Sequence, residues 1–482
     1  MLALRDLNEA YINGEWTGSS DGGLFDVVDP ATGSLIGQVA NCRAEDAEQA
    51  IAAADAAFPA WAAMPAGERA KMLRTIGDLL VENADDLAAL LTAENGKPLA
   101  EAKVEIQYGA SYFHWFAEEC TRIYGDIVPM QPNGTQILIR RVPVGVCAVI
   151  TPWNFPNAML ARKMAAALGA GCTLVAKPAE DTPLSALALA TLAEQAGVPK
   201  GVVNIVTSSH AAEVGETFTK SPLVKKLSFT GSTRVGRLLY AQSAPTMKRL
   251  SMELGGNAPF IVFDDADLDA AADGLMLAKF RNNGQTCVCA NRVFVQASVV
   301  GEFSAKVQER VRNLVVGRGT EDGVTVGPLI NRAAFEKVQS LVADATQAGA
   351  TVLEGGQGHP AGDLFFSPTV LANVEPSMAV AAEEIFGPVL PILTFENEDE
   401  VIKEANNTEF GLAAYVYTQD HQRIWRLGET LEYGMIGTNT GVVSNAAAPF
   451  GGVKQSGFGR EGSKYGLDDY LEIKCQHIGG LG

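Results

Sequence analysis

VGVCAVITPWNFPNAMLARKMAAALGAGCTLVAKPAE, residues 144–180, joins two strand-like runs through an alanine-rich segment. The runs VGVCAVI (144–150) and CTLVAKP (172–178) are short, apolar and rich in β-branched residues, as buried strands are, whereas PNAMLARKMAAALGAG (156–171) is typical of a helix. A strand, a helix and a second strand in this order indicate two parallel strands joined by a crossover helix. This stretch therefore predicts an α/β fold built on a parallel sheet.

The same alternation continues along the chain. The strand-like runs VVNIVT (202–207) and VKKLSFTG (224–231) follow, each with a helical segment after it. A second α/β series includes PFIVF (259–263) and VLPILTF (389–395), and residues 46–107 have the spacing of alanine-rich amphipathic helices. We therefore expect a helical scaffold, a nucleotide-binding half and a second α/β unit.

The composition excludes several classes of protein. The chain has 482 residues, enough for two or three domains, and 47% of them are hydrophobic. Acidic residues outnumber basic residues by 56 to 37, and the resulting net charge of −19 repels phosphate backbones and acidic lipids. The longest nearly apolar run, residues 164–176, is too short to span a bilayer. We therefore expect no nucleic acid and no membrane as partners.

The cysteines, the histidines and the N-terminal residues bear on metals and on the cellular compartment. Seven scattered cysteines indicate reduced thiols rather than a disulfide framework. The five histidines never occur at HxxxH or HExxH spacing and no CxxC occurs, so the sequence predicts no metal site. Arg5, Asp6 and Glu9 stand where a signal peptide would be apolar. We expect a cytoplasmic protein.

Three motifs carry the side chains that covalent catalysis requires. GQTC places Cys287 after Gly284 and Gln285, MELGG places Glu253 before a glycine pair, and PWNFP places Asn154 at an expected strand-to-helix corner. Each has an ordinary alternative: a buried cysteine, a solvated carboxylate and a capping asparagine. A nucleophile, a base and an oxyanion donor are needed together, so the combination of the motifs is what indicates an enzyme.

Seven motifs, taken in order, resemble those of the aldehyde dehydrogenase superfamily: PWNFP, KPAE, FTGS, MELGG, GQTC, EEIFGP and PFGGVKQSG. The resemblance covers essentially the whole chain. It implies an aldehyde dehydrogenase-like α/β fold with a Rossmann-like NAD-binding domain, an α/β catalytic domain and a β oligomerisation arm. Within the superfamily, FRNNGQTCVC, KPAEDTP and PFGGVKQSGFGREGSKYG are most similar to the succinate semialdehyde dehydrogenases and their glutarate semialdehyde relatives.

The resemblance also implies a domain division and an assembly. Residues 1–122 and 141–254 are expected to form the NAD-binding domain and residues 255–458 the catalytic domain. Residues 123–140 and 459–482 are expected to pair with another subunit, because both contain strands that need covering. The expected assembly is a homodimer or a homotetramer.

The resemblance assigns the chemistry to three residues. It implies that Cys287 is the nucleophile, that Asn154 and the Cys287 backbone N–H bind the oxyanion, and that Glu253 is the general base. A thiohemiacetal would form, a hydride would leave for the nicotinamide, and water activated by Glu253 would hydrolyse the remaining thioester. The product would be the free acid.

The expected cofactor is NAD, with NADP possible. The chain has no GxGxxG fingerprint, and the resemblance implies that the helix near Gly231 and Ser232 points its N-terminal amides at the pyrophosphate. Lys177 and Glu180 are expected to hold the adenosine ribose, and a carboxylate at Glu180 would repel a 2′-phosphate. The remaining positions expected in the nicotinamide cleft are Trp153, Leu254, Glu384 and Phe386.

The expected substrate is an ω-oxo acid, succinate semialdehyde first, with glutarate semialdehyde or a broad range of aldehydes as alternatives. On a regular helix, Asn154, Ala158 and Arg162 would share one face. The resemblance implies that Arg162, Arg281 and Ser444 face the substrate carboxylate. Without the resemblance, the two arginines would be interpreted as ordinary surface residues.

Other classes of function remain as alternatives. A thiol hydrolase or acyltransferase would use Cys287 without a nicotinamide but would need a histidine partner, and none lies near in the sequence. A binding protein that kept the fold after losing activity would not need the intact Cys287, Glu253 and Asn154.

Cys289 is a candidate redox residue. If TCVC is extended, Cys287 and Cys289 face the same way at a distance close to the upper limit for a disulfide, and such a bond would switch the enzyme off reversibly. The alternative is a small buried side chain that points away from Cys287.

Overall fold

The computed structural model describes residues 8–129, 131 and 134–480. Arg5 and Asp6, which bear on the expectation about a leader segment, lie outside the described residues, as do Met130, Pro132 and Asn133 of the expected arm.

The chain up to Glu253 begins with four strands and four helices, and from Val146 onward it alternates strands with helices, as the sequence predicts. Its strands are β1 (Ala10–Ile12), β2 (Glu15–Thr17), β3 (Leu24–Val28), β4 (Leu35–Ala40), β5 (Asp126–Val128), β6 (Gln136–Pro143), β7 (Val146–Ile150), β8 (Thr173–Lys177), β9 (Val203–Ile205), β10 (Val224–Thr230) and β11 (Arg249–Glu253). Its helices are α1 (Ala44–Ala63), α2 (Ala66–Glu82), α3 (Ala84–Asn95), α4 (Leu99–Glu119), α5 (Pro156–Ala170), α6 (Leu184–Gln195), α7 (Ala211–Lys220) and α8 (Thr233–Ser243).

The remainder of the chain contains the second α/β series. Its strands are β12 (Ala258–Val262), β13 (Ala290–Gln296), β14 (Thr351–Glu354), β15 (Thr369–Ala372), β16 (Val389–Phe395), β17 (Ala413–Tyr417), β18 (Met435–Thr438), β19 (Gly457–Phe458) and β20 (Leu471–Ile478). Its helices are α9 (Leu268–Phe280), α10 (Val300–Arg312), α11 (Arg332–Gln347), α12 (Ala379–Ala382), α13 (Glu398–Asn406) and α14 (His421–Thr430).

Eight strands form the first sheet, in the order β19, β11, β10, β7, β8, β9, β1, β2. The strands from β11 to β9 are parallel, and in the β7–β8 pair Val146 lies opposite Thr173. Helix α5 connects β7 to β8 with Pro156 in its first turn and Gly171 in the left-handed conformation at its end, so the sequence itself sets its limits. The parallel pair predicted from residues 144–180 is confirmed.

Seven strands form the second sheet, in the order β14, β15, β16, β13, β12, β17, β18. All neighbouring pairs from β15 to β18 are parallel, and β14 is an antiparallel edge strand. The strand-like runs PFIVF and VLPILTF supply β12 and β16. The expected second α/β unit is therefore present.

Strands β20, β6 and β5 form a third, antiparallel sheet. Ile127 on β5 and Ile473 on β20 are 75% and 74% exposed, so this sheet leaves large apolar side chains uncovered. Strand β19 lies at the edge of the first sheet, where Phe458 pairs with Met252, although residue 458 falls in the segment expected to be catalytic. The domain boundaries stay a prediction.

Two further observations concern membranes and metals. Within the described ranges, no helix combines the length and the apolarity needed to cross a membrane. The same residues contain no group of three or more His, Cys, Asp or Glu side chains that could hold a metal ion. All seven cysteines are free thiols.

Candidate active site

Three neighbouring strands of the first sheet lead into one cavity. Strand β7 leads to Asn154, β10 to Gly231, and β11 ends at Glu253. Because parallel strands present their carboxyl ends at one edge of a sheet, these residues meet there. The loop before β13 brings Cys287 to the same place, and all four residues line a cavity of about 280 Å³.

The side chain of Asn154 lies against the loop that carries Cys287. Its Nδ2 donates to the carbonyl oxygen of Gln285 at 3.1 Å. Its backbone oxygen accepts from Lys97 Nζ at 2.7 Å and from Asn282 Nδ2 at 2.9 Å. Asn154 is therefore held from two sides, with one Nδ2–H bond committed to Gln285.

The loop before Cys287 has an unusual backbone. Asn282 and Asn283 have φ values of 48° and 57°, in the left-handed region that asparagine tolerates better than most residues. The backbone N–H of Cys289 donates to the carbonyl oxygen of Thr286 at 3.1 Å and closes a turn around Cys287. The segment is consequently a turn and not the extended strand that a disulfide between Cys287 and Cys289 would require.

Cys287 and Glu253 interact electrostatically. Burial raises the pKa of the Cys287 thiol well above its ordinary value, and the negative charge of Glu253 raises it further. A buried thiol of this kind needs a proton acceptor before it can act as a nucleophile. Glu253 and Glu384 are carboxylates that line the same cavity, and Glu253 has the larger effect on the pKa of the thiol.

Glu253 is held by an ion pair inside the protein. Its Oε2 accepts from Arg162 Nη2 at 2.8 Å, and the two side chains are 4% and 0% exposed. Arg162 also pairs with Glu461, which pairs in turn with Lys163. Arg162, Lys163 and Glu461 of this network are buried and lie next to Glu253 without lining the cavity.

The contacts of Arg162 differ from those that helical spacing predicted, and its role at the substrate carboxylate stays a prediction. We expected its guanidinium at the substrate carboxylate, on the helix face that carries Asn154. Helix α5 begins only at Pro156, and Phe155 before it has φ −136° and ψ 70°, so helical spacing does not apply to Asn154. Arg162 packs over the ring of Phe450 at 4.5 Å and is not among the described residues that line either of the two cavities of this region.

Arg281 and Ser444 lie together at the second cavity. This space of about 530 Å³ is lined mainly by apolar side chains, Phe155 among them, and also by Tyr108 and the carboxylates of Glu101 and Glu105. The Arg281 guanidinium lies 5.3 Å from the centre of the Phe155 ring. Two of the three residues expected at the substrate carboxylate thus share one cavity.

Most of the expected cofactor residues line the first cavity: Trp153, Gly231, Ser232, Leu254, Glu384 and Phe386. Ser232 caps helix α8, where its Oγ accepts from Val235 N at 3.4 Å. The rings of Trp153 and Phe386 meet edge to face with centroids 5.4 Å apart. An apolar cleft that ends at a helix N-terminus fits the nicotinamide and pyrophosphate parts of a dinucleotide.

The other two expected cofactor residues lie apart from that cavity. Lys177 Nζ pairs with Glu180 Oε2 at 3.1 Å, and the Glu180 side chain is 47% exposed.

Within the first cavity, Glu384 Oε1 accepts from Gly256 N at 2.9 Å, and burial raises the pKa of the Glu384 carboxyl to about 7.

The Cys289 side chain lies outside the cavity that Cys287 lines. Its side chain is 7% exposed, and its Sγ donates to the carbonyl oxygen of Lys279 at 3.5 Å. Cys287 instead lines the cavity with Glu253. The segment therefore lacks the extended geometry that was the condition for a disulfide, and the redox role of Cys289 stays a prediction.

Several residues that support the site were missed in the sequence. Lys97 pairs with Glu105 at 2.6 Å while it binds the backbone of Asn154, and both side chains are fully buried. The Asn282–Asn283 pair was a usable signal, because two adjacent asparagines before a glycine favour left-handed backbone. The pairing of Lys97 with Glu105 had no local signal.

Comparison with known proteins identifies close relatives. The model of the aldehyde dehydrogenase family matches residues 16–476. A glutarate-semialdehyde dehydrogenase of Pseudomonas aeruginosa is 55% identical over 473 residues, which cover 98% of this chain and 98% of that protein. A succinate-semialdehyde dehydrogenase of Escherichia coli, named for NADP(+), is 55% identical over 482 residues, which cover 99% of this chain and 100% of that protein.

A solved structure is also similar to this chain over its whole length. The crystal structure of succinate-semialdehyde dehydrogenase from Burkholderia pseudomallei has a TM-score of 0.98 and 56% identity to this chain, and the match covers 100% of this chain and 99% of that one. The family and the fold expected from the motifs are confirmed. The chain therefore belongs to the aldehyde dehydrogenase family.

Proposed function

We propose that the protein oxidises an ω-oxo acid, succinate semialdehyde first, to the dicarboxylic acid through a thioester on Cys287. One observation carries the proposal: Cys287, Glu253 and Asn154 line one cavity. The relatives named for succinate and glutarate semialdehydes support the substrate class.

Acylation begins with a proton transfer. Because burial and Glu253 raise the pKa of Cys287, the thiol is mainly protonated at neutral pH, and we assign Glu253 as the group that accepts its proton. The thiolate then attacks the aldehyde carbon. Asn154 Nδ2 uses one N–H for Gln285, which leaves the other for the developing oxyanion.

Hydride transfer completes the first half of the reaction, and hydrolysis of the thioester in the second half regenerates the thiol. When bound, the nicotinamide cofactor accepts the hydride that leaves the former aldehyde carbon. Trp153, Phe386 and Ser232 are assigned to bind and orient that cofactor in the first cavity. Glu253 first releases the thiol proton to solvent. It then takes a proton from water, whose oxygen attacks the thioester, and it gives that proton to the Cys287 sulfur as the acid leaves.

The substrate carboxylate is assigned to Arg281 and Ser444. Both line the second cavity, and a guanidinium with a neighbouring hydroxyl suits a carboxylate. The relative named for glutarate semialdehyde supports that aldehyde as a second candidate. A comparison of kcat/KM for the two semialdehydes and for butanal ranks these candidates.

NAD is proposed as the preferred cofactor, with NADP as the alternative. The support is the carboxylate of Glu180, which suits ribose hydroxyls and repels a 2′-phosphate. Its side chain is half-exposed and can turn aside, and the Escherichia coli relative is named for NADP(+). Values of kcat/KM for both cofactors in the wild type and in Glu180→Ala test this proposal. A higher kcat/KM for NADP in Glu180→Ala than in the wild type supports the proposal. Equal values of kcat/KM for NADP in the variant and in the wild type contradict it.

We also propose a homodimer or a homotetramer, with subunits joined through the sheet of β5, β6 and β20, and a cytoplasmic location. The exposed Ile127 and Ile473 support the assembly. The seven free thiols support a reducing compartment.

The central experiment separates the two half-reactions. Cys287→Ala should abolish NADH formation with succinate semialdehyde. Glu253→Gln should still give a burst of NADH, more slowly than the wild type, followed by weak turnover, because the loss of the base stops thioester hydrolysis more severely than acylation. Absence of NADH with either cofactor and every aldehyde in the wild type would contradict the proposed function.

A further inference from the structure

Two tyrosine hydroxyls meet beside the second cavity. Tyr108 and Tyr112 are four residues apart on α4 and therefore share one face of that helix. Their hydroxyl oxygens are 2.5 Å apart, and their rings meet edge to face with centroids 5.0 Å apart. Tyr108 lines the second cavity, as Arg281 and Ser444 do, whereas the Tyr112 side chain has no exposed surface. The pair therefore connects the buried interior with that cavity.

Burial decides the direction of the hydrogen bond between the two hydroxyls. Among the described residues, the Tyr112 hydroxyl has Tyr108 as its sole hydrogen-bond partner. If Tyr108 donated, the Tyr112 proton would be buried without an acceptor, and an unsatisfied buried hydroxyl is costly. Tyr112 therefore donates to Tyr108. The proton of the Tyr108 hydroxyl is consequently left for an acceptor on the cavity side.

Other hydrogen-bond donors surround the Tyr108 hydroxyl. Burial raises the pKa of Tyr108, whereas the nearby charges of Arg162 and Arg281 and the Ser444 hydroxyl lower it. Arg162 Nη1 and Arg281 Nε are buried and have no hydrogen-bond partner in the part of the chain that the structure describes. A carboxylate accepts several hydrogen bonds at once, and charge-assisted bonds are the strongest. A carboxylate is therefore the acceptor that suits this group of donors.

We infer that Tyr108 is a specificity-determining residue: its hydroxyl donates a hydrogen bond to the carboxylate of the ω-oxo acid, next to Arg281 and Ser444. Tyr112 orients that hydroxyl from the buried side. The inference rests on the proposed function, because it requires a substrate that carries a carboxylate. A site built to hydrogen-bond a polar group rejects an analogue that lacks the group, since its own donors then stay unpaired. Tyr108 therefore favours ω-oxo acids over uncharged aldehydes.

The test compares Tyr108→Phe, Tyr112→Phe and the matched control Tyr124→Phe. Each variant loses one hydroxyl and keeps its ring, and Tyr124 is 72% exposed. The first measurement is kcat/KM with succinate semialdehyde and with butanal, an uncharged aldehyde that also has four carbon atoms. The second is the Kd of succinate for the enzyme in the presence of NAD, by titration calorimetry, because this binding requires no turnover.

We expect Tyr108→Phe to lose its preference for the charged substrate. The ratio of kcat/KM for succinate semialdehyde to kcat/KM for butanal should fall by about 10- to 100-fold, as for the loss of a hydrogen bond to a charged group. The Kd of succinate should rise by a similar factor. Tyr112→Phe should lower the ratio by only about threefold, because its hydroxyl binds Tyr108 and does not touch the substrate. Tyr124→Phe should behave as the wild type.

Other patterns overturn the inference. If Tyr108→Phe lowers kcat/KM equally with both aldehydes, the hydroxyl supports the cavity wall and does not recognise the carboxylate. A larger loss of preference in Tyr112→Phe than in Tyr108→Phe contradicts the assigned direction of the hydrogen bond. A Kd of succinate in Tyr108→Phe equal to that of the wild type contradicts this inference alone. A wild type that does not prefer succinate semialdehyde to butanal would contradict the proposed function instead.

Discussion

At the scale of single residues, the site depends on the carboxylate of Glu253, which interacts with both the Cys287 thiol and the Arg162 guanidinium. Glu253 raises the pKa of Cys287, while Arg162 lowers it to a smaller extent. The same carboxylate accepts the Arg162 hydrogen bond through Oε2. The charge on Glu253 thus affects how readily Cys287 ionises.

Glu253→Gln should lower the pKa of the Cys287 thiol. The change removes the negative charge that opposes thiolate formation and leaves Arg162, which favours it. Alkylation of Cys287 by iodoacetamide should therefore reach half-maximal rate at a lower pH in the variant than in the wild type. The Cys287 peptide must be followed by mass spectrometry, since Cys475 is also exposed.

The control is Glu354→Gln, which changes a carboxylate in a surface ion pair. It should leave the midpoint of Cys287 alkylation unchanged. A midpoint that rises or stays constant in Glu253→Gln would mean that Glu253 does not influence the thiol.

Arg281→Leu and Ser444→Ala should raise KM for succinate semialdehyde. A hydrogen bond to a charged group contributes roughly 1.5 to 3 kcal/mol, so the arginine variant should raise KM by about one to two decades and the serine variant by less. Neither substitution should change kcat/KM for butanal by more than about twofold, because butanal has no carboxylate to lose.

Arg74→Leu serves as the control, because Arg74 is an exposed arginine paired with Glu118 at 2.7 Å. Equal losses for succinate semialdehyde and butanal in Arg281→Leu would mean that Arg281 supports the cavity wall and does not recognise the carboxylate.

At the scale of elements, the sequence predicts most of the regular structure. The β-branched runs become β7, β8, β9 and β10, and the alanine-rich segment becomes α5, because burial on both faces of a parallel sheet requires such runs. The conformation of a loop does not follow from such sequence patterns. The turn around Cys287 is closed by the backbone bond from Cys289 to Thr286, which spacing alone does not reveal.

The site residues divide in the same way. Cys287, Glu253 and Asn154 follow from motifs and lie together. The pairing of Arg162 with Glu253 does not follow from a motif. The two residues lie 91 positions apart, and no local pattern indicates a buried pair over that separation. Long-range ion pairs are properties of the tertiary packing.

The loop that precedes Cys287 should depend on Asn282. Its Nδ2 donates to the carbonyl oxygen of Asn154, and its φ of 48° disfavours residues other than glycine and asparagine. Asn282→Ala and Asn282→Gly both remove the side-chain bond and should lower kcat by about one decade. The alanine variant also carries backbone strain of about 1 kcal/mol and should have the lower Tm.

The two variants separate conformation from hydrogen bonding. Scanning calorimetry measures Tm and steady-state kinetics measure kcat on the same samples. A glycine variant with the kcat of the wild type would contradict a role for the Asn282 side chain in holding Asn154.

At the scale of the whole molecule, the exposed sheet of β5, β6 and β20 predicts association. Light scattering should give a multiple of the 50.9 kDa chain mass at micromolar concentration. Substituting Lys for both Ile127 and Ile473, which are three-quarters exposed in one chain, should shift the protein toward the monomer.

Trp425→Lys is the matched control, because Trp425 is 73% exposed on α14, away from that sheet. It should leave the mass unchanged. A wild-type protein that scatters as a 50.9 kDa monomer would contradict the predicted assembly.

The central claim is that Cys287 forms a thioester with an ω-oxo acid and that Glu253 directs its hydrolysis. The most direct measurement is the mass of the Cys287 peptide after Glu253→Gln is mixed with succinate semialdehyde and NAD and quenched in acid. We predict a peptide heavier by one succinyl group on Cys287, absent when NAD is omitted and absent in the Cys287→Ala double variant. An unmodified Cys287 peptide from a variant that has produced NADH would contradict the account.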